Sequence, residues 1–184
     1  MKIDDIRFRR DLPTLFKQLG YSVGAEIGVY KGEFSKLICE EGLKLYAIDP
    51  YLVYKNYRKH PKELPYEQLY EDAKKLLAPY DCEFIRKTSM EALDDIPDGS
   101  LDFVYIDGNH SLPYIASDIY EWYRKVRPGG IISGHDYFLN KHNPYWIRIC
   151  HVKYIVDVCV KIYGVKKLYT TKGDKYPSWF WIKE

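Results

Sequence analysis

The chain has 184 residues, of which 46% are hydrophobic and 29% charged, and its formal net charge is +2. That composition excludes a disordered chain and suits a single domain, residues 1–184, able to bury roughly 70% of its unfolded surface. A charge so near balance gives no domain-wide basic footprint, so nucleic acid is not expected as a partner. Neither a secretory leader nor an apolar run of about 18 residues is read, so no membrane span is expected. Cys39, Cys82, Cys150 and Cys159 form no CxxC pair and have no histidines at zinc-finger spacing, the pattern of buried thiols in a reducing compartment. The expectation is a soluble cytoplasmic protein. The 19 tyrosines either line a pocket for a ring or sugar or fill half-buried positions.

Leu12, Leu15, Phe16 and Leu19 predict a helix over 4–19, ended by Gly20, that packs across the edge of the core as a lid or buttress. Residues 22–28 read as a buried strand, and Phe34, Leu37 and Ile38 as the stripe of a helix closed by Gly42. A second strand over 44–49 ends on Asp49. Gly28 and Gly32 stand between the first strand and its helix, where the backbone must turn sharply and approach a ligand. A carboxylate at the tip of the second strand can accept both hydroxyls of a ribose, so the unit has the layout of a nucleoside site. The turn is Gly-x-x-x-Gly. It lacks the Gly-x-Gly-x-x-Gly spacing that brings a dinucleotide's pyrophosphate onto a helix N-terminus, which argues against an NAD-dependent oxidoreductase.

Between Pro50 and Pro65 the apolar periodicity stops, and Lys55, Arg58, Lys59, His60 and Lys62 gather in a loop that either contacts an anionic acceptor or is merely solvated. Tyr66, Leu69, Tyr70, Ala73, Leu76 and Leu77 predict an amphipathic helix, and residues 82–86 a third strand. A helical turn follows over 89–93, with Ser89 as its cap. Residues 101–106 are a fourth strand running into Asp107 and His110. Ile115, Ile119, Trp122 and Val126 mark a helix that breaks at Pro128-Gly129-Gly130, and residues 131–133 a fifth strand running into His135 and Asp136. Trp146, Ile149, Val152, Val156 and Val160 mark one helix up to Gly164, and strands over 165–170 and 179–182 close the chain as an antiparallel hairpin. Strands alternating with helices at this spacing define an α/β chain, a doubly wound, mostly parallel sheet with helices on both faces.

Glu26-Ile27-Gly28-Val29-Tyr30-Lys31-Gly32, Ile48-Asp49-Pro50-Tyr51, the stretch Asp102 to Ser111, and Arg127-Pro128-Gly129-Gly130-Ile131-Ile132 occur in that order. With these blocks the chain resembles the class I S-adenosylmethionine-dependent methyltransferases, in the small-molecule O-methyltransferase-like branch that includes the macrocin type (methyltransferase family 24 type). The resemblance runs from about Val23 to Tyr137. It implies a Rossmann-like sheet of about seven strands with an antiparallel C-terminal strand, S-adenosyl-L-methionine as cofactor, and methyl transfer to an oxygen, or alternatively a nitrogen, of a small-molecule acceptor such as a sugar, a phenol or an amine. A homodimer is compatible with it.

Carried over by position, Glu26, Gly28, Val29, Tyr30 and Gly32 resemble the loop holding the methionine half of the cofactor. Asp49 with Pro50 resembles the ribose site, and Ser89 and Met90 the segment bordering adenine, with Asp107 also near the cofactor. Methyl transfer needs an aligned acceptor and the removal of one proton. The candidates for that are Asp107, His110, His135 and Asp136, His110 having the alternative of closing its loop onto backbone. The macrocin-like branch implies a divalent metal, Mg²⁺ or Mn²⁺, on Asp107, His135 and Asp136, although Mg²⁺ prefers oxygen to the imidazole that stands at 135. A non-catalytic cofactor-binding or scaffold member of the fold is the competing class of function.

Overall fold

The computed structural model describes residues 2–52, 65–139 and 150–184. The basic loop side chains Lys55 to Lys62, together with Trp146 and Ile149 of the last expected helix, lie outside the described residues. Seven strands form one sheet: β1 (Val23–Ile27), β2 (Lys44–Ile48), β3 (Cys82–Ile85), β4 (Leu101–Ile106), β5 (Val126–Gly134), β6 (Tyr169–Thr170) and β7 (Trp179–Ile182). Their order is β3-β2-β1-β4-β5-β7-β6. The first five pair in parallel, and β7 is antiparallel to both β5 and β6. The chain reverses its direction of travel across the sheet between β1 and β4. Such a switch point opens a crevice beyond the carboxyl ends of the strands.

Helices α1 (Leu12–Gln18), α2 (Glu33–Glu40), α3 (Tyr66–Leu77), α4 (Leu112–Lys125) and α5 (Val152–Ile162) cover the two faces. All six residues of β4 are buried, because a central parallel strand has helices on both sides. Its period of two divides the core. Val104 and Ile106 join Ile115, Ile119 and Trp122 of α4 and Val156 of α5, whereas Phe103 and Tyr105 join Leu12, Leu15 and Phe16 of α1 and Ile38 of α2. The Phe16 and Phe103 rings stack at 4.2 Å, so α1 buttresses the middle of the sheet instead of crossing its edge.

Three expected boundaries move. The helix over 4–19 is two short 3₁₀ turns followed by α1, since the Asp11 carboxylate accepts the Arg7 and Phe8 amides and bends the backbone before Pro13 restarts it; Leu19 is exposed. Strand β5 starts at Val126, directly after α4, and Arg127 to Gly130 bulge from the ladder: Leu101 faces Val126, but Phe103 already faces Ile131. Of the strand expected over 165–170 only Tyr169–Thr170 pairs. The C-terminal hairpin is formed as expected, and the architecture is the Rossmann-like sheet read from the sequence.

Candidate active site

A cleft of about 760 Å³ lies at the switch point. The turn after β1 forms its floor. Gly28 there has φ +91°, and a Cβ on it would sit 2.4 Å from the Asp107 carbonyl oxygen, so only glycine lets β1 and β4 close together at this point. Asp49, one residue past β2, binds this turn: one of its oxygens accepts the Val29 and Tyr30 amides at 2.9 and 3.0 Å, and the other accepts Tyr51 at 2.8 Å. Burial raises the Asp49 pKa, and the three amides offset only part of that rise. Tyr30, Tyr51 and Asp136, the non-glycine residues with positive φ among those described, all follow strand ends at this edge of the sheet. Backbone strain is concentrated where the cleft is built.

Charge is dense behind the turn. Glu26, 1% exposed, accepts a hydrogen bond from the Ser35 hydroxyl. Burial pushes its carboxyl up to about 8 even with Arg9 nearby. Arg9 reaches in from the N-terminal 3₁₀ turn, its Nη1 3.0 Å from Asp107 Oδ2 and its Nη2 3.7 Å from Glu26 Oε1. Burial would raise Asp107, but the hydrogen bond with His110 and the charge of Arg9 outweigh it and hold that carboxyl below its ordinary value.

His110 has Nε2 3.3 Å from Asp107 Oδ1 and Nδ1 3.0 Å from Asp136 Oδ2, so each ring nitrogen faces a carboxylate. His135 points Nδ1 at Asp136 Oδ1, 3.4 Å away, and at Asp107 Oδ1, 3.9 Å away; its Nε2 makes no hydrogen bond among the described residues. Asp107, His135 and Asp136 each offer a ligand atom within 4.8 Å of the others.

The cleft therefore brings together most of the residues singled out in the sequence. Glu26, Gly28, Val29, Tyr30, Asp49, Pro50, Ser89, Asp107 and His110 line it. His135 and Asp136 are not lining residues, although His135 Nδ1 lies 3.9 Å from Asp107 Oδ1. Gly32 and Met90 are not lining residues: Gly32 packs toward Ala73 and Leu77 of α3, and Met90 is 36% exposed.

Ser89 is not a helix cap. Thr88 and Glu91 cap that turn reciprocally, the Glu91 amide donating to the Thr88 hydroxyl and the Thr88 amide to the Glu91 carboxylate. Ser89 instead donates to Asp118 Oδ1 at 2.5 Å. Asp118 and Arg9 are among the lining residues that sequence reasoning missed. The first is a carboxylate one position from the apolar stripe of α4, and the second lies 17 residues before Glu26, where no local pattern marks it.

Sheet order, antiparallel final strand, glycine turn and acidic tip together give the fold of the class I S-adenosylmethionine-dependent methyltransferases. A family described as "Methyltransferase domain" matches residues 25–137, more than half of the chain, and the chain belongs to that family. The O-methyltransferase TomG from Streptomyces achromogenes, solved in complex with SAM, superposes with a TM-score of 0.67 at 16% identity, over 96% of this chain and 79% of that one. An O-methyltransferase from Bacillus cereus, solved with SAH, gives 0.65 at 14% identity, over 99% and 84%. Likeness at such identities is one of fold. Protein y4gI of Sinorhizobium fredii, described as uncharacterized, is 33% identical over 73 residues, which are 38% of this chain and 8% of that protein. The chain thus spans less than a tenth of that relative. No helix among the described residues is long and apolar enough to cross a membrane.

Proposed function

We propose that the cleft holds S-adenosylmethionine with its adenosine toward Asp49, Pro50 and Ser89 and its methionine half toward Glu26 and the Gly28 turn. The methyl group then goes to an oxygen of a small acceptor, a sugar or a phenol. The observation that carries this reading is convergence: residues from the β1 turn, the β2 tip, the segment after β3 and the β4 tip line one cleft. The cofactor fits the residues present. The volume, about 760 Å³, lies within the roughly 300–1,000 Å³ of small-molecule sites, and the wall offers acids for an ammonium beside a buried Arg9 Nε that has no hydrogen-bond partner among the described residues.

The cofactor supplies an electrophilic methyl on a sulfonium. What the chain must add is alignment of the acceptor oxygen at roughly 3 Å and a place for its proton. His135 suits the second task better than His110. Its Nδ1 lies 3.4 Å from Asp136 Oδ1 and its Nε2 makes no hydrogen bond among the described residues, whereas both nitrogens of His110 face carboxylates. Asp107 sits between the two rings and completes the cluster.

A second reading uses a divalent cation. The observation in its favour is the placement of Asp107, His135 and Asp136 ligand atoms within 4.8 Å of one another. Those residues would hold the ion, and it would lower the acceptor hydroxyl's pKa.

The test is calorimetric titration with S-adenosylmethionine and S-adenosylhomocysteine, followed by mass spectrometry of a labelled methyl group against a panel of hydroxylated acceptors. Absence of cofactor binding ends the proposal. Tight binding with no transfer to any acceptor, water-soluble sugars and phenols included, favours the non-catalytic member of the fold.

A further inference from the structure

We propose that Arg9 binds the α-carboxylate of the cofactor's methionine moiety with the guanidinium donors that its contact with Asp107 leaves unused. The inference rests on the reading of the cleft as the S-adenosylmethionine site. Arg9 is delivered with little freedom. Its amide donates to Asp174 Oδ2 at 2.6 Å, the neighbouring Arg7 carbonyl accepts the Lys172 and Gly173 amides at 3.0 and 2.7 Å, and the Phe8 ring packs so closely on Gly173 that a Cβ there would lie 2.2 Å from it. The N-terminal turn is fastened to the segment before β7. From there the guanidinium lies over the rings of Phe34 and Tyr105, 4.2 and 4.9 Å from their centroids.

In this place the fork is underused. A guanidinium has five N–H donors in a plane matched to a carboxylate. Here it makes one short contact, to Asp107 at 3.0 Å; the Glu26 oxygen at 3.7 Å is beyond hydrogen-bond length, and Nε is buried without an acceptor among the described residues.

The arrangement of groups points the same way. Glu26 and Asp107 flank the guanidinium, with Glu26 almost wholly buried. A zwitterion matches this pattern of donors and acceptors: its ammonium serves the acids and its carboxylate takes the donors that Arg9 has to spare. The other lining cations are poorly placed for this, since Arg10 and Lys31 are exposed and lie over the rings of Phe8 and Tyr30.

The experiment compares two ligands that differ in the amino-acid half alone, S-adenosylhomocysteine and 5′-methylthioadenosine, by calorimetry on the wild type, Arg9→Ala and Arg9→Lys. Arg9→Ala is expected to weaken S-adenosylhomocysteine about 10- to 100-fold, the usual worth of a charged hydrogen bond, and to change 5′-methylthioadenosine less than about twofold. Arg9→Lys, which keeps the charge beside Asp107 and so guards against misfolding, is expected to weaken S-adenosylhomocysteine selectively by a smaller factor, because a point charge cannot replace the fork. Equal loss for both ligands in the variants assigns Arg9 to shaping the cleft and overturns the proposal, as does no loss for either. A wild type that binds 5′-methylthioadenosine and S-adenosylhomocysteine equally tightly overturns it while leaving the cofactor site intact. A wild type that binds neither overturns the cofactor reading itself.

Discussion

Asp49 holds the Val29 amide at 2.9 Å across the tips of β2 and β1, so the residue expected to meet a ribose also fixes the turn proposed to meet the methionine. Asp49→Ala should therefore have two effects. It should weaken S-adenosylhomocysteine binding by on the order of 10- to 100-fold, and it should cost about 2 kcal/mol of stability by leaving the amides of Val29, Tyr30 and Tyr51 without their charged acceptor. Calorimetry and urea unfolding read the two separately. Lost stability with unchanged affinity would confine Asp49 to the turn.

His135 and His110 should separate under mutation. His135→Ala should lower turnover by about 10² to 10⁴ with cofactor affinity nearly kept. His110→Ala should instead lower stability by about 3 kcal/mol, because Asp107 and Asp136 lose the ring that stands between them. The check is a pH-rate profile and an unfolding curve for each variant. A His135→Ala enzyme with the wild-type profile removes that residue as the base.

Chelation decides between the metal-free and metal-assisted readings. If His135 acts alone, enzyme treated with a chelator should keep its turnover. If Asp107, His135 and Asp136 hold a cation, turnover should vanish, cofactor binding should persist, and Mg²⁺ or Mn²⁺ should restore the rate.

Asp118 should leave a pH signature in stability. Burial lifts its carboxyl to about 7 despite the hydrogen bond from Ser89. Between about pH 4 and that value the folded chain keeps a proton that the unfolded chain has released, so the wild type loses stability as pH rises, by at most about 1.4 kcal/mol per pH unit, and the loss levels off above. Asp118→Asn keeps an oxygen for Ser89 and carries no proton to lose. Its stability relative to wild type, measured by urea unfolding at pH 4.5 and 7.5, should rise with pH. Glu26 titrates in the same direction in both proteins and cancels. A difference that does not move with pH would show that Asp118 is ionised in the folded state.

The alternation of strands and helices, the Gly28 turn and the acidic tip at Asp49 are local, and local chemistry makes them legible. A parallel strand buried on both faces must be apolar throughout, an amphipathic helix must repeat at three and four, and a backbone at φ +91° against a neighbouring carbonyl must be glycine. The sequence by itself therefore determined the sheet, the order of its blocks and the edge at which the cleft opens. It also marked β7, whose Trp179 to Ile182 run pairs antiparallel beside β5.

What only the tertiary structure decided are contacts between elements far apart in the chain. Arg9 meets Glu26 and Asp107 because α1 stacks Phe16 on Phe103 and thereby carries the N-terminal turn to the cleft. Ser89 is turned from cap to partner of Asp118 because Thr88 had already met the needs of the turn. His110 is set between two carboxylates, and His135 within 3.4 Å of one, through the pairing of β4 with β5. Residue type states which bonds a side chain can make, but burial, charge and the distance to a partner fix which of them it does make, and those quantities exist only once the sheet has brought its strand ends together.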